Sequence, residues 1–392
     1  MSLKVWENKG MPKGGIDPEV VSEYANRLWT GVTEGYGLDI PKVDFDLPDF
    51  ETLLKLKENV WQFSAAKNYQ QLTAISRELV DSNNRIRSFN DFRDAAVRIN
   101  IDHVRHLETE YNTAIAGGQM SSLWTQIEAE SNVLPYLEFV AVIDGRTSDQ
   151  CKELNGVILH WTHPFWDKWY PPNHYGCRST VRRHANATPT NDSDIIYPSV
   201  EPGIFGVNLG KQKLAFPPDH PYYDGVPKKV LDNAVFHLPE QEQYSVTKVG
   251  KGQIRLHIVA ERDNKSDMKA LMQIATELAE KGGKLDVLPE IHAKEAELRN
   301  KLLPDTKGNK NPDLRIDGKY WEHERPTLPV TWDKVENRIR AGNKQANRVL
   351  IQLDEYFGNL EGMARSRFKA LKDLKEITFR TVDGKYLNYK RP

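Results

Sequence analysis

The amino-acid sequence predicts an α+β protein in two parts, a mainly helical N-terminal part with a small β segment that contains Cys and His, and a separate α+β domain. Three observations support this fold class. Apolar residues recur at helical spacing from about residue 51 to 130. Prolines interrupt every regular pattern between residues 186 and 227. Beyond residue 228, strand-like runs alternate with helical stretches.

The same observations set the expected boundaries. Residues 1–50 are rich in Gly, Pro and Asp and predict an extended N-terminal arm with one short helix near Pro18 to Thr30. Residues 51–185 are expected to form the first domain, residues 186–227 a Pro-rich linker, and residues 228–392 the second domain. A chain of 392 residues has room for two domains, since a typical domain has about 100 to 200 residues.

Within the first domain, Ser88 is the expected N-cap of a helix that ends at Gly117-Gly118. The run Leu137 to Ile143 predicts a buried strand that delivers Asp144 and Arg146 to its end. The pattern therefore predicts helices first and a short β segment after them.

Within the second domain, strands and helices are predicted to alternate. The expected strands are Ile254 to Val259, Lys284 to Leu288, Leu314 to Arg325, Arg348 to Leu353 and Glu376 to Val382. The expected helices are Ser266 to Lys281, Val335 to Ala346 and Glu361 to Leu371. Asp383-Gly384 predicts a last tight hairpin.

Composition restricts the class of protein. Hydrophobic residues make up 39% and charged residues 28% of the chain, as in ordinary globular proteins. No apolar run approaches the about 20 residues that a membrane span needs, so we expect no membrane association. The N-terminal residues lack the apolar core of a secretory signal, and two cysteines argue against a disulfide scaffold. We therefore expect the protein in the reducing cytoplasm of its host.

Charge is distributed unevenly along the chain. Residues 228–392 contain 32 Lys and Arg against 25 Asp and Glu, whereas residues 1–227 contain 22 against 30. A basic domain joined to an acidic one is typical of a nucleic-acid-binding domain on a carrier. Chance variation in surface charge is the alternative interpretation.

Both cysteines of the chain lie close to a histidine. Cys151, His174 and Cys177 are ligand types that suit a tetrahedral zinc ion. The candidates for a fourth ligand are Asp149, His160, His163 and His184. The alternatives are two buried reduced cysteines with a hydrogen-bonded histidine, a disulfide, or a catalytic Cys-His pair.

The segment around these residues resembles the signature of the phage Mu F-like minor head proteins. The matching positions are Asp144, Arg146, Thr147, Cys151, Gly156, Pro172, His174, Cys177 and Arg178. Ser179 departs from the pattern, since many relatives have a further cysteine there. The resemblance implies that residues 51–185 are a minor head domain. It further implies a role in head morphogenesis, with the portal and other capsid proteins as partners and the virion as a location.

The second domain contains a strong hairpin signal at Asp317-Gly318. A two-residue turn there pairs Ile316 with Lys319 and Leu314 with Trp321, and it places Asp313 opposite Glu322. Side chains alternate along a strand, so Glu324 shares the face of Glu322, while His323 and Arg325 point the other way.

Opposed carboxylates repel each other unless a cation compensates them. Asp313 and Glu322 are therefore a candidate Mg²⁺ site, at which the ion would activate water for phosphodiester hydrolysis. The layout resembles the PD-(D/E)xK nucleases, with Glu324 in the slot of their lysine and Lys344 of the next helix as its substitute. A hairpin edge with solvated charges is the alternative.

A second scheme needs no metal, because the 2′-OH of RNA is itself a nucleophile. His323 would be its base, and the accompanying groups would be Arg325, Lys344, Arg380 and Thr381. EDTA would abolish the activity of a nuclease that uses the first scheme and would leave one that uses the second scheme active.

Residues of about 265 to 390 resemble the C-terminal tRNA-nuclease domains of contact-dependent inhibition (CdiA-type) proteins. The resemblance is carried by Asn311-Pro312-Asp313, Gly318, Trp321-Glu322 and Lys344-Gln345-Ala346. Relatives commonly have a lysine where this chain has Glu324 or Arg325. The resemblance implies that residues 228–392 are a nuclease-like toxin domain that cleaves RNA, with tRNA as substrate and an immunity protein as partner.

Together these features predict a phage or prophage minor capsid protein with a C-terminal ribonuclease toxin domain, present in the bacterial host cytoplasm and in the phage head. The alternative from another class is a purely structural capsid protein, whose C-terminal domain binds portal or nucleic acid without catalysis.

Overall fold

The computed structural model divides into two compact units, Met1–Leu238 (unit 1) and Pro239–Pro392 (unit 2), and confirms the α+β class. The residues that the structure describes are 1–39, 47–83, 85–263, 268–293 and 295–392. Among them, no helix has both the length and the apolar character that a membrane crossing requires.

Unit 1 is mainly helical. Pro18 and Pro48 occupy first helical positions, where the backbone N–H that proline lacks would have no partner within the helix. The hydroxyl of Ser88 accepts the backbone N–H of Asp91, which confirms the predicted N-cap. The helices are α1 (Ser2–Asn8), α2 (Pro18–Tyr36), α3 (Pro48–Arg77), α4 (Phe89–Arg105), α5 (Leu107–Glu130), α6 (Asp149–Leu154), α7 (Phe165–Trp169), α8 (Leu209–Gln212) and α9 (Lys228–Val235).

Helices α2 and α5 approach each other closely at glycines. A Cβ atom on Gly118 of α5 would overlap the carbonyl oxygen of Val32 in α2. A Cβ atom on the neighbouring Gly117 would lie 2.6 Å from the carbonyl oxygen of Ala215, in the segment after α8. The sequence predicts a helix end at these glycines, but α5 continues through both of them to Glu130. The prediction was wrong because glycine here permits close backbone approach rather than ending a helix.

The first 50 residues are helical over most of their described part, which differs from the expected extended arm. Helix α2 is longer than the predicted Pro18 to Thr30 segment and buries Val21, Ala25 and Leu28. These residues repeat at helical spacing, so the segment has an apolar face to pack against its neighbours.

The Pro-rich residues 186–227 belong to unit 1 and do not form a separate linker. Phe216 is buried and stacks on Phe63 with ring centroids 3.8 Å apart. The side chain of Asn59 accepts the backbone N–H groups of Ala215 and Phe216. Proline interrupts regular hydrogen bonding, but it does not prevent burial of the apolar residues between the prolines.

A small antiparallel sheet completes unit 1. Its central strand is β1 (Tyr136–Val140), between β2 (Ile158–His160) and β3 (Thr180–His184). Strand β1 ends before the predicted Ile143, and Ile143 is 60% exposed. The chain therefore leaves the sheet earlier than predicted and forms a loop that leads to α6.

Unit 2 is built on a mixed eight-stranded sheet of order β11-β10-β9-β8-β7-β6-β5-β4. Strand pairs β5–β6, β8–β9 and β9–β10 are parallel, and the others are antiparallel. The strands are β4 (Tyr244–Val249), β5 (Gly252–His257), β6 (Lys284–Val287), β7 (Leu314–Ile316), β8 (Lys319–Glu324), β9 (Arg348–Gln352), β10 (Glu376–Arg380) and β11 (Tyr386–Lys390).

Helices cover both faces of this sheet. Val349 of β9 packs in a core with α13 and α14, whereas its neighbour Leu350 packs in a core with α11. Alternate residues of a strand point to opposite faces, so α11 and the α13–α14 pair lie on opposite sides. The helices are α10 (Ile258–Asp263), α11 (Met268–Glu280), α12 (Ala296–Leu302), α13 (Trp332–Gln345) and α14 (Leu360–Ala370).

Most elements predicted for unit 2 are present within a few residues of their expected positions. The predicted start of α11 at Ser266 lies outside the described residues. Strands β10 and β11 flank the expected turn at Asp383-Gly384. The sequence did not predict β4, α10 or α12, and the predicted strand Ile254 to Val259 ends at His257, where α10 begins.

Candidate functional sites

The first candidate site lies where α6 meets the segment after α7. Ser148 is the N-cap of α6, and its hydroxyl accepts the backbone N–H of Cys151 at 3.3 Å. A turn after α7 brings His174 and Cys177 close to Cys151, and Gly176 has the positive φ that this turn requires. Local capping and a glycine turn thus position all three side chains.

The ligand atoms of these three residues converge. Cys151 Sγ lies 3.8 Å from Cys177 Sγ and 3.4 Å from His174 Nε2. Among the described residues, this is the group of three His, Cys, Asp or Glu side chains whose donor atoms all lie within 4.8 Å of one another. Both cysteines are free thiols in this structure.

Hydrogen bonding determines which nitrogen of His174 faces the sulfurs. Nδ1 lies 2.9 Å from the carbonyl oxygen of Tyr175, so it carries the proton and donates it there. Nε2 then presents its lone pair toward Cys151, and the hydroxyl of Ser148 lies 2.9 Å from it. A metal-binding histidine typically donates the N–H of its non-coordinating ring nitrogen to a backbone carbonyl, and this hydrogen bond orients the ring.

The two thiols are hydrogen-bonded to each other, with their sulfurs 3.8 Å apart. The hydrogen bond from Cys151, together with N–H groups of Asn173 and Ser179, lowers the pKa of Cys177 to about 6. The same contact with Cys177, and burial, raise the pKa of Cys151 to about 12. The hydrogen bond with Cys151 raises the pKa of His174. Metal binding requires both cysteines to lose their protons, so the affinity of this group for a metal ion should rise with pH.

The four residues considered as a fourth ligand are engaged elsewhere, so this prediction was wrong. Asp149 is exposed and pairs with Lys152. The other three are histidines with ring contacts away from the cysteines. His160 contacts Thr162, His163 contacts Asp192, and His184 contacts Glu138.

A small cavity of about 10 Å³ adjoins two of the three candidate ligands, Cys151 and His174. Besides Cys151 and His174, it is lined by Val142, Arg146, Thr147, Ser148, Gly176, Arg178 and Ser179. The hydroxyl of Ser179 hydrogen-bonds the Cys177 sulfur. Hydroxyl and guanidinium groups, rather than further metal ligands, therefore border the open side of the cluster.

The second candidate site lies on the β7–β8 hairpin of unit 2. Asp317 and Gly318 both have positive φ, 47° and 78°, as a two-residue type I′ turn requires. The register confirms the predicted pairing of Leu314 with Trp321 and of Ile316 with Lys319.

Asp313 precedes β7, and the register continued by one residue places it opposite Glu322. Its carboxylate accepts the backbone N–H of His323 at 3.1 Å. Glu322 lies in a central strand beside Val349 of β9. Two acidic side chains are thus held at adjacent positions of paired strands.

The carboxylates of β8 face helix α13. Gly342 of α13 is so close that a Cβ atom there would lie 3.2 Å from Cγ of Glu324. Arg338 of the same helix donates to Glu324 at 3.2 Å. Lys344 lies in the last turn of α13 and is exposed.

His323 lies on the opposite face of the sheet and is buried. Its Nε2 atom contacts the side-chain oxygen of Gln352 at 3.2 Å. Arg380 shares this face, since it pairs with Gln352 in the register of β9 and β10. Both oxygens of Glu277 on α11 accept from Arg380, at 2.6 and 2.7 Å, and this contact lowers the pKa of Glu277 to about 2.

The last two predicted residues lie at strand ends. Arg325 forms an ion pair with Asp354. The hydroxyl of Thr381 bonds Asp383 and accepts the N–H of Lys385 within the β10–β11 turn. The eight predicted residues therefore divide between two faces and two loops, and they do not form one cluster.

Two segments of the chain match known families. Residues 57–182 match the model of Phage Mu protein F like protein. Residues 310–386 match the model of the Contact-dependent growth inhibition CdiA C-terminal domain. The chain contains a Mu F-like domain and a CdiA C-terminal domain.

The curated relatives match the first of these domains. Protein F of Escherichia phage Mu, named for capsid assembly, is 32% identical over 92 residues, which are 24% of this chain and 21% of that protein. The Mu-like prophage FluMu F protein of Haemophilus influenzae is 37% identical over 73 residues, 19% of this chain and 16% of that protein. The matches thus span about a fifth or less of either relative.

A solved structure is similar to part of the chain. It is the CdiA-CT/CdiI toxin and immunity complex from Burkholderia pseudomallei, with 18% identity and a TM-score of 0.23 over 33% of this chain and 88% of that one. At a TM-score this low, the fold of unit 2 is described from its own strands and helices alone.

The sequence pattern of the Mu F-like domain has a structural explanation beside the cysteines. Asp144 and Arg178 form a two-bond ion pair at 2.6 and 2.8 Å, which holds the pKa of Asp144 well below its usual range. Asp144 also accepts the N–H of Arg146, and its own N–H donates to the Thr147 hydroxyl. These residues fasten the loop before α6 to the segment after Cys177.

Sequence reasoning missed several residues near both sites. Ser148 is one, although a serine three residues before Cys151 is a recognisable cap signal. In the CdiA C-terminal domain, Asp354 lies two residues after the buried strand β9, and a polar residue so close to a strand end is a signal for a strand-end site. Arg338 and Glu277 carried no local signal, since their partners are distant in sequence.

Proposed function

We propose that this protein is a phage or prophage minor head protein that carries an RNA-cleaving toxin domain at its C-terminal end. The presence of a Mu F-like domain and a CdiA C-terminal domain on one chain supports the proposal. On this proposal the protein is found in the virion, with portal and other capsid proteins as partners of the first domain. The second domain acts on RNA, with tRNA as the favoured class, and has a cognate immunity protein.

The single observation that carries the nuclease proposal is the hairpin at Asp317-Gly318. It holds Asp313 opposite Glu322 within the family match at residues 310–386. Two opposed carboxylates repel each other, and Mg²⁺ is the compensating ion whose chemistry serves phosphodiester hydrolysis. We propose that Asp313 and Glu322 bind Mg²⁺, and that Glu324 and Lys344 complete the site on the α13 face.

This carboxylate scheme is favoured over the metal-free scheme. The base of the metal-free scheme, His323, is 6% exposed and faces away from Glu322 and Glu324. Its companions Arg380 and Arg325 are engaged by Glu277 and Asp354. A base for RNA cleavage must reach the 2′-OH directly or through one water, which a buried histidine does not.

The test is inducible expression of the full chain and of unit 2 in bacteria, followed by growth measurement and tRNA electrophoresis. We expect growth arrest and cleaved tRNA from the parent, and neither from Asp313→Ala or Glu322→Ala. Glu361→Ala is the matched control, because Glu361 is an exposed carboxylate of α14 paired with Arg365. It should behave as the parent does.

The remaining outcomes identify the alternatives. Activity of purified protein that survives EDTA and is lost in His323→Ala would support the metal-free scheme. Intact RNA and normal growth with a folded parent protein would refute the nuclease proposal and favour a binding domain without turnover.

We further propose that Cys151, His174 and Cys177 bind Zn²⁺. A tetrahedral zinc ion, with bonds of about 2.3 Å to sulfur and about 2.0 Å to nitrogen, separates two sulfurs by about 3.8 Å and a sulfur from a nitrogen by about 3.5 Å. The observed separations are 3.8 and 3.4 Å. Both sulfurs are free thiols in this structure, so both are available as ligands.

Elemental analysis of the purified full chain tests this proposal. We expect about one zinc per chain, with loss of zinc in Cys177→Ser. Cys177→Ser replaces the sulfur ligand by a hydroxyl oxygen and leaves the size of the side chain nearly unchanged. A parent protein that is folded and free of zinc after zinc supplementation would refute it.

A further inference from the structure

The zinc centre has three protein ligands and an unassigned fourth position. We propose that this position is exchangeable and takes a water molecule, a hydroxide ion or a small monodentate anion rather than a fourth protein side chain. This inference rests on the zinc proposal above and concerns what the centre binds. By zinc chemistry, three protein ligands with an open position are typical of centres that exchange a ligand, whereas closed structural sites have four.

The first supporting observation is the composition of the ligand group. The group of converging donors among the described residues contains Cys151, His174 and Cys177 and no fourth His, Cys, Asp or Glu. Nearby ionisable candidates are occupied by other partners, as in the pair of Asp149 with Lys152 and that of His184 with Glu138. A fourth protein ligand of the usual kind would therefore require these contacts to break.

The second observation is the space beside the ligands. The adjoining cavity has a volume of about 10 Å³. A volume of this size is close to that of one water-sized probe, so it accommodates a single donor atom and not a side chain from elsewhere. The hydroxyls of Ser148 and Ser179 border it and can hydrogen-bond a bound oxygen or nitrogen.

The third observation is the charge around this space. Two thiolates neutralise a divalent ion, and a neutral histidine adds no charge, so the centre itself does not repel an anion. Arg146 and Arg178 both line the cavity. Arg178 is compensated by its two-bond pair with Asp144. Arg146 is exposed and lines the cavity, and its positive charge favours an anionic over a cationic fourth ligand.

Ser179 offers a way to close the position. Its side chain lies at the cavity and hydrogen-bonds the Cys177 sulfur. A thiol placed there would be within reach of the ion and would supply a fourth protein ligand. Ser179→Cys should therefore retain the metal while removing the exchangeable position.

The experiment uses the full chain loaded with Co²⁺, which replaces Zn²⁺ and has visible absorption bands that depend on its ligands. Sodium azide and sodium thiocyanate are titrated separately into the protein at constant ionic strength. We expect a saturable change in the visible bands of the parent. Arg146→Ala should weaken the apparent anion affinity about fivefold, in line with the modest effect of an exposed charge. Ser179→Cys should bind Co²⁺ and show no response to the anions.

The possible failures are distinguishable. A parent chain that is folded by circular dichroism but binds no Co²⁺ overturns the zinc proposal and, with it, this inference. A parent that binds Co²⁺ in a four-coordinate site whose bands do not change with either anion leaves the zinc proposal intact and overturns the exchangeable position. The parent titration decides between these outcomes even if a variant fails to fold.

Discussion

Unit 1 contains a buried ion pair whose removal has a calculable cost. Lys67 is completely buried, and its Nζ atom lies 2.7 and 2.6 Å from the two carboxylate oxygens of Glu110. Glu110 also accepts the hydroxyl of Tyr222 at 3.0 Å. The change Glu110→Gln keeps the size of the side chain and removes the negative charge beside Lys67.

Two arguments give the magnitude. Loss of one partner of a buried ion pair costs about 3–5 kcal/mol. Lys67 can avoid an uncompensated charge by losing its proton, and for a lysine of ordinary pKa 10.5 this costs about 5 kcal/mol at pH 7. The second value is an upper limit for the charge effect. We therefore expect Glu110→Gln to lower the free energy of unfolding by about 3–5 kcal/mol at pH 7.

The same reasoning predicts a pH dependence. Burial already lowers the pKa of Lys67, and loss of Glu110 lowers it further. The unfolded chain then binds more protons than the folded chain at pH values below the ordinary lysine pKa, so the stability of the variant rises with pH. Between about pH 7 and 10 its deficit should shrink by up to about 1.4 kcal/mol per pH unit.

Urea unfolding of the full chain, followed by tryptophan fluorescence, measures this effect because 7 of the 9 tryptophans lie in Met1–Leu238. Glu108→Gln, at an exposed position of the same helix, is the matched control and should change stability by less than about 0.5 kcal/mol. The double change Lys67→Met and Glu110→Leu should recover most of the loss, since it buries no charge. A variant Glu110→Gln that unfolds at the parent midpoint, or with the same deficit at pH 7 and 9.5, would refute the reasoning.

Three further changes test other parts of the structure. Gly118→Val forces a side chain against a facing backbone carbonyl and should cost about 1–3 kcal/mol in thermal unfolding, whereas Gly10→Val, with open space around it, should cost less. Burial lowers the pKa of His220 from 6.5 to about 4, so the protein should lose up to about 3 kcal/mol of unfolding free energy as the pH falls from 6.5 to 4. His220→Asn should reduce this pH dependence of the unfolding free energy, measured by urea unfolding at each pH. Glu277→Gln leaves the Arg380 guanidinium, 10% exposed, without its compensating charge, and should lower unit 2 stability by about 2–3 kcal/mol in calorimetry.

The register of the candidate nuclease hairpin could be predicted because a turn type determines it. Asp317-Gly318 favours a two-residue turn with positive φ at both positions, and once the turn is known every opposed pair follows by counting. The three residues of the proposed zinc site could also be found, since they are the two cysteines and a histidine close to one of them. The fourth-ligand candidates failed because the orientation of His160, His163 and His184 depends on partners in other segments.

The Pro-rich segment shows a second limit of sequence reasoning. Prolines between residues 186 and 227 correctly predicted the absence of long regular elements. Whether such a segment packs or connects is decided by its apolar residues, and Phe216 meets a complementary ring in Phe63. The partner that satisfies the backbone there, Asn59, lies in a helix more than 150 residues earlier. A local pattern cannot identify such a partner.

The position of His323 determines which chemistry the hairpin can perform. Alternation along β8 correctly separated His323 from Glu322 and Glu324, but alternation does not indicate which face a substrate can reach. That depends on the helices, since α11 covers the histidine face and α13 approaches the glutamate face through Gly342. A Cβ atom at Gly342 would lie 2.8 Å from Val349 and 3.2 Å from Glu324, so any larger residue would press on both side chains. On the nuclease proposal, Gly342→Leu should therefore displace Glu324 and reduce tRNA cleavage even by the folded fraction, besides costing stability by overpacking against Val349. His323→Gln, on the opposite face, should reduce stability and leave cleavage by the folded fraction unchanged. Kinetics measured on the folded fraction of each variant would separate the two effects.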